Sequence, residues 1–91
     1  MAENIRNNPE AQRFELVVDG HLAEVVYRSA PGVLVLVHTG VPDELSGQGI
    51  ASRLAKHVLE YARGKGIKIV VRCAFIAAYL KRHPEYQDLV L

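Results

Sequence analysis

The sequence predicts an α/β fold: a mixed twisted sheet with helices packed on it, in the order β-β-β-α-β-α. Three observations point there. Apolar residues alternate with period two through residues 13–37. They change to a period of 3.6 over residues 50–63. A β-branched run at residues 67–71 follows after a short link, so that strand, helix and strand read as a βαβ crossover.

Residues 1–12 are polar and include Asn7-Asn8-Pro9, which reads as a flexible leader before a single domain over residues 13–91. Phe14, Leu16 and Val18 share one side of the first strand. Asp19-Gly20 signals a tight hairpin, because both central positions of that turn favour positive φ. The return strand sets Ala23, Val25 and Tyr27 against Glu24 and Arg28. Pro31-Gly32 makes the next turn. Val33-Leu34-Val35-Leu36-Val37 is apolar on both faces, as in a central strand covered by helices.

The helix that follows carries the stripe Ile50, Ala51, Leu54, Ala55, Val58, Leu59 and Ala62, with Arg53, Lys56, His57, Glu60 and Arg63 opposite. Gly64-Lys65-Gly66 ends it, with cations where the helix dipole favours them. The strand over residues 67–71 should lie parallel to the one at residues 33–37, through a right-handed crossover. Residues 74–82 read as a second helix, stopped before Pro84. Residues 86–91 read as a short extended tail.

Composition excludes several classes. At 91 residues there is interior for one domain only. Eleven Lys and Arg against ten Asp and Glu give +1, too balanced for a dedicated nucleic-acid binder. No apolar run approaches the ~20 residues that a membrane-spanning helix needs. The opening Met1-Ala2-Glu3-Asn4 has no apolar signal region. Cys73 is the sole cysteine, so no internal disulfide is possible. These features predict a cytoplasmic protein with no nucleic-acid or membrane partner, and a monomer by default. His21, His57 and His83 have no ligand spacing, so no metal site is expected.

The most informative segment is Gly47-Gln48-Gly49-Ile50-Ala51-Ser52, between a buried strand and the start of the long helix. Unpaired N–H groups at a helix start face outward, and the dipole there favours an anion. Gly47 and Gly49 let backbone approach a ligand closely. The segment reads as a pyrophosphate cradle; a helix cap without a ligand uses the same residues. His38 and Cys73 each end a strand at one sheet edge, where open α/β sheets bind ligands. Cys73 also precedes the last helix, whose dipole favours a thiolate. A thiolate beside an imidazole is a nucleophile–base pair. The plainer alternative makes Cys73 a small buried hydrophobe and His38 a hydrogen-bonded strand end.

Asp43-Glu44-Leu45-Ser46-Gly47-Gln48-Gly49-Ile50-Ala51-Ser52-Arg53-Leu54 resembles the acyl-CoA loop of the GCN5-related N-acetyltransferases, Gln/Arg-x-x-Gly-x-Gly/Ala. Gly49 and Ala51 match it, and Ser46 stands where Gln or Arg is usual. His38-Thr39-Gly40-Val41, Glu44-Leu45, Cys73 and Pro84-Glu85-Tyr86-Gln87-Asp88 are similar to the compact YjdJ-type acetyltransferase-like domains. The resemblance spans roughly residues 13–90 and implies a minimal fold of that family. It implies acetyl-CoA as cofactor, bound by Gly47, Gln48, Gly49, Ile50, Ala51 and Ser52, with Val41 meeting the pantetheine arm. It also implies catalytic roles for Cys73 as acetyl carrier, His38 as base and Tyr79 as proton donor to the departing thiolate. The acceptor would be an amine of unknown identity. A non-catalytic CoA-binding module and a small interaction module of the same fold remain open alternatives.

Overall fold

The computed structural model describes residues 4–91. Five strands, β1 (Arg6–Asn8), β2 (Arg13–Val18), β3 (His21–Ala30), β4 (Val33–Gly40) and β5 (Lys68–Val71), form one sheet in sequence order. Helix α1 (Ile50–Lys65) joins β4 to β5, and α2 (Ala74–Arg82) follows β5. Short 3₁₀ segments occupy Asp43–Leu45 and Pro84–Leu89. Neighbouring strands are antiparallel except β4 and β5, which are parallel, as the crossover reading predicts.

The turns follow their residues. Asp19 and Gly20 both have positive φ, 50° and 78°, the hairpin geometry whose twist suits flanking strands. Gly66 closes α1 in the left-handed conformation, φ 68°, and its N–H reaches back to the carbonyls of Ala62 and Arg63.

The expected leader over residues 1–12 contains β1, which is a correction to that reading; its first three residues lie outside the described residues. β1 reads as polar because it is held by polar side chains. Arg6 Nε and Asn8 Nδ2 donate to Glu15 at 3.3 and 3.1 Å, and the Tyr27 hydroxyl donates to Asn7 Oδ1 at 2.5 Å. The tail also differs from its extended reading. Pro84 starts a 3₁₀ segment that buries Tyr86 and Leu89, and only Val90 adds a bridge, parallel to Ile69.

A second correction concerns β4. Leu34 and Leu36 are buried, but Val33 and Val35 are half-buried and Val37 is 36% exposed. Both helices pack on one face of the sheet, so alternation along β4 marks a covered and an uncovered side. The covered face supplies Phe14, Leu16, Ala23, Val25, Tyr27, Leu34, Leu36 and Ile69 to the core, against Leu54, Val58, Leu59, Ile76 and Leu80 of the helices. Phe14 is fully buried, its ring 5.4 Å from Tyr27 and 5.2 Å from Tyr61. The uncovered face carries a charged ladder in place of a second helix layer. Glu15 is 7% exposed and takes Arg13 Nε, Asn8 and Arg6; Arg13 Nη1 also reaches Glu24 at 3.2 Å. The Arg13 hydrogen bond foremost holds the Glu15 carboxyl below its ordinary range.

Polar contacts clamp the C-terminal segment onto α1 and β5. Arg63 donates to both carboxylate oxygens of Asp88 at 2.9 and 3.1 Å, and Lys68 Nζ to the Asp88 carbonyl at 2.7 Å. The Tyr86 hydroxyl donates to Glu60 at 2.5 Å. That carboxylate, with burial, pushes the Tyr86 phenol up to about 12. An unfolded tyrosine ionises near 10. The folded chain therefore keeps a proton that the unfolded chain loses, and stability falls as pH rises from about 10 to about 12. A tyrosinate absorbance titration should show one phenol ionising near pH 12. Tyr86→Phe should remove that phase, cost about 1 kcal/mol, and lower Tm by roughly 4–8 °C.

Candidate functional site at the open edge of the sheet

Site geometry follows from unequal strand lengths. β4 pairs with β5 only from Val33 to Leu36, and the last contact on that side is Arg72 N–H to the Leu36 carbonyl at 2.9 Å. β4 continues to Gly40, held on its other side by β3. Among the described residues no strand pairs with β4 beyond Leu36 on the β5 side. Its outer edge there offers backbone donors and acceptors to a guest. Both helices begin at this edge, α1 after β4 and α2 after β5.

The loop into α1 is pinned by Leu45, 1% exposed, in the 3₁₀ segment Asp43–Leu45. Gly47 and Gly49 then adopt left-handed φ of 80° and 70°. An added Cβ at either glycine would meet nothing within 4 Å, so conformation, and not crowding, demands glycine here. Gly49 is the N-cap of α1, with no side-chain cap and no acidic residue in the first turn. The first-turn N–H groups of Ile50, Ala51 and Ser52 thus lack the side-chain acceptor that usually satisfies them. Ile50 is 2% exposed, so it presents only its backbone; Gln48 and the glycines are exposed. Arg53 donates to the Gln48 carbonyl at 3.4 Å, and with Lys56, His57 and Glu60 it lines a recess of about 350 Å³ beside the loop. Val41 is half-buried against the core just past β4.

Cys73 is the N-cap of α2 and 7% exposed. Its Sγ lies 3.1 Å from Thr39 Oγ1. The sequence reading pairs Cys73 with His38, and the structure does not. A bulge in β4 sets Val26 opposite His38 and Tyr27 opposite Leu36, leaving Val37 as the extra residue. Val37 and His38 both turn to the uncovered face, and Thr39 returns to the covered face, toward Cys73. His38 is exposed, and its Nε2 borders Gly40. The two groups share an edge and stand on opposite faces of it.

Tyr79 is likewise not brought to this edge. It lies six residues along α2 from Cys73, about 9 Å of helix rise. It is 5% exposed and stacks on His83 with ring centroids 4.1 Å apart. Burial, and then the Glu85 charge, raise its phenol above the ordinary range. Thr39, Glu24 and Gly40 are the site neighbours that alternation along the sequence overlooks, because a regular count through Val37 conceals the bulge. A larger recess of about 470 Å³ lies at the opposite sheet edge, between Asn7, Gln12, Tyr27, Ser29 and Tyr61, and contains none of the expected residues. Among the described residues no helix is long and apolar enough to cross a membrane.

Comparison with known proteins agrees with this geometry. Residues 13–89 match the family model of the GCN5-related N-acetyl-transferases. Protein NATD1 of Gallus gallus is 39% identical over 57 residues, covering 63% of this chain and 52% of that protein. Protein NATD1 of Homo sapiens is also 39% identical over 57 residues, covering 63% of this chain and 50% of its own length. The match spans about half the length of these relatives. The solution structure of a GCN5-like protein from Staphylococcus aureus superposes with a TM-score of 0.75 at 36% identity, covering 100% of this chain and 91% of that one.

Ala at Gly49 or Gly47 meets no steric obstacle and must still adopt left-handed φ, which costs about 1 kcal/mol. Each variant should melt roughly 4–8 °C lower in a calorimetric scan.

Proposed function

The chain belongs to the GCN5-related N-acetyltransferase family, and from that premise we propose that it binds acetyl-CoA and transfers the acetyl group to an amine. One observation carries this reading: the uncapped start of α1, behind two left-handed glycines, stands at the same sheet edge as the unpaired end of β4. These features suit the two ends of the cofactor. The N–H groups of residues 47–52 receive a pyrophosphate without any side chain, and the dipole of α1 adds to that attraction. Arg53 and Lys56, one turn further along, suit the remaining nucleotide phosphate. The free β4 edge, with Val41 beyond it, takes the amide groups of a pantetheine arm by strand-like pairing. Ser46, exposed in the loop, leaves this cradle to rest on backbone donors.

Bound acetyl-CoA supplies a thioester, an acyl group already activated for attack. Cys73 stands on the covered side of the gap as the candidate acetyl carrier, with Thr39 sharing a hydrogen with its sulfur. His38 serves in this reading as proton acceptor for the incoming amine, since it faces away from the thiol. The compact YjdJ-type organisation and a reducing cytoplasmic setting, in which Cys73 stays free, belong to the same proposal. A second reading, a CoA-binding module with little turnover, draws on the absence of any helix over the outer sheet face among the described residues. Such a face encloses an acceptor less than a closed pocket does.

An amide NMR titration with acetyl-CoA tests the first step. Saturable shifts at residues 47–52, Val41 and Thr39 are expected, and no response at millimolar ligand would sink the proposal. Mass spectrometry after brief incubation then separates the two readings. An added acetyl mass on Cys73, or on an added amine, supports the enzyme; intact binding with neither supports the module.

A further inference from the structure

We propose that the free edge of β3 at Ser29 is a second binding site, which takes an extended acidic peptide as an added strand, one carboxylate entering the recess of about 470 Å³ beside Tyr61 and the next meeting Arg28. The proposal goes beyond the acetyl-CoA reading and does not depend on it. Tyr61 lies eleven residues along α1 from Ile50, about 16 Å of helix rise away from the loop at residues 47–52.

The edge is open because β3 outruns β2. Their pairing ends with Arg13 opposite Val26, and one further bond follows, from Tyr27 N–H to the Gln12 carbonyl at 2.8 Å. Gln12 has a left-handed φ of 54° and turns its own N–H to the Pro9 carbonyl at 3.2 Å, so the chain between β1 and β2 swings away from β3. β3 runs on to Ala30 paired with β4 alone. In an antiparallel strand the N–H and C=O of one residue point to the same side, and successive residues alternate sides. Tyr27 points its N–H toward β2, so Ser29 points both of its groups that way, and no strand stands there among the described residues. An extended backbone is the guest that pairs with a donor and an acceptor set out in this way.

The side chains around this edge select an acidic guest. Two cations flank it, one on each face. Arg28 is exposed on the uncovered face and donates to the Tyr27 carbonyl at 3.0 Å, at the edge itself. Lys65 is exposed on the helix side, its Nζ 5.7 Å from the centre of the Tyr61 ring that walls the recess. Among the described residues neither cation meets a carboxylate. No charged side chain lines the recess; Glu10, in the turn beyond Pro9, is not among its lining residues. The Tyr27 hydroxyl is engaged by Asn7 Oδ1, which leaves the amide nitrogens of Asn7 and Gln12 as donors there. A carboxylate, which only accepts hydrogen bonds, complements them. Cross-strand partners share a face. A guest residue opposite Ser29 therefore points to the helix side, into the recess, and its neighbour opposite Arg28 points to the uncovered face. Two consecutive acidic residues in an extended chain reach both cations, because their side chains alternate.

The test titrates the full chain, observed by amide NMR, with the capped peptide acetyl-Thr-Val-Glu-Glu-Val-Thr-amide. Saturable shifts are expected at Gln12, residues 28–32, Tyr61 and Lys65. A peptide with lysine in place of both glutamates should bind about tenfold more weakly or worse, the loss of two partly exposed ion pairs. A peptide N-methylated at both glutamates keeps its charge and loses the pairing N–H, and should weaken comparably. Arg28→Ala and Lys65→Ala should each weaken the acidic peptide about fivefold; both side chains are exposed, and an unchanged Tm confirms that the variants fold. Silence at millimolar peptide overturns the proposal. So does equal binding of the lysine or N-methylated peptide, or a single-stranded oligothymidylate of six nucleotides that binds as tightly, since each reduces the site to a patch without strand addition. Acetyl-CoA is titrated separately against residues 47–52, so either site can fail while the other stands.

Discussion

The short parallel pairing of β4 with β5 is the constraint on which the rest of the molecule depends. β5 has four residues and β4 has eight. A parallel neighbour can be reached only by a crossover, and α1 is that crossover. It carries the chain back over one face, so both helices must start at the edge where β5 runs out. One inequality of length thereby places an unsatisfied strand edge, two helix N-termini and a thiol within one neighbourhood. None of these features is a site alone; their coincidence sets backbone donors and acceptors, a helix start and a thiol side by side.

The one-sided core follows from the same arrangement. With both helices on one face, the apolar side of every strand is used up there, and the other face is left to solvent. Polar groups stabilise what the core leaves uncovered. Arg13 ties two facing carboxylates together at the β2–β3 end, and Arg63 with Asp88 fastens the C-terminal segment at the β5 end. Partly exposed ion pairs of this kind contribute modestly to stability. Their larger effect is positional: Arg13 fixes the two carboxylates across the β2–β3 pairing, and Arg63 with Asp88 fixes the tail against α1.

The bulge at Val37 divides the site between two faces. Thr39 is directed to Cys73 on the helix side, and His38 to the outer side beside Gly40. Regular alternation through Val37 would instead send His38 toward the thiol and Thr39 to solvent. A single inserted residue therefore decides which polar group meets which, and it keeps the candidate acetyl carrier apart from the candidate proton acceptor.

Local physics made much of this legible in the order of residues alone. Positive-φ pairs marked the turns, the change of period marked α1, and the glycines before Ile50 marked the anion-ready helix start, because each depends on neighbours within a few positions. The parallel pairing was legible as well, since short links around a helix leave few other paths. β1 was not, because its partners are Glu15 and Tyr27, and polar contacts made at a distance leave no periodic trace. Nor was the one-sided cover of β4, whose five apolar residues read the same whether one face is packed or two. The pairing of Cys73 with Thr39 instead of His38, and the placing of Tyr79 beside His83 and away from the cleft, were decided only by the tertiary structure. A bulge arises from how one strand meets another, and a regular alternation of side chains along Val37, His38 and Thr39 carries no sign of it.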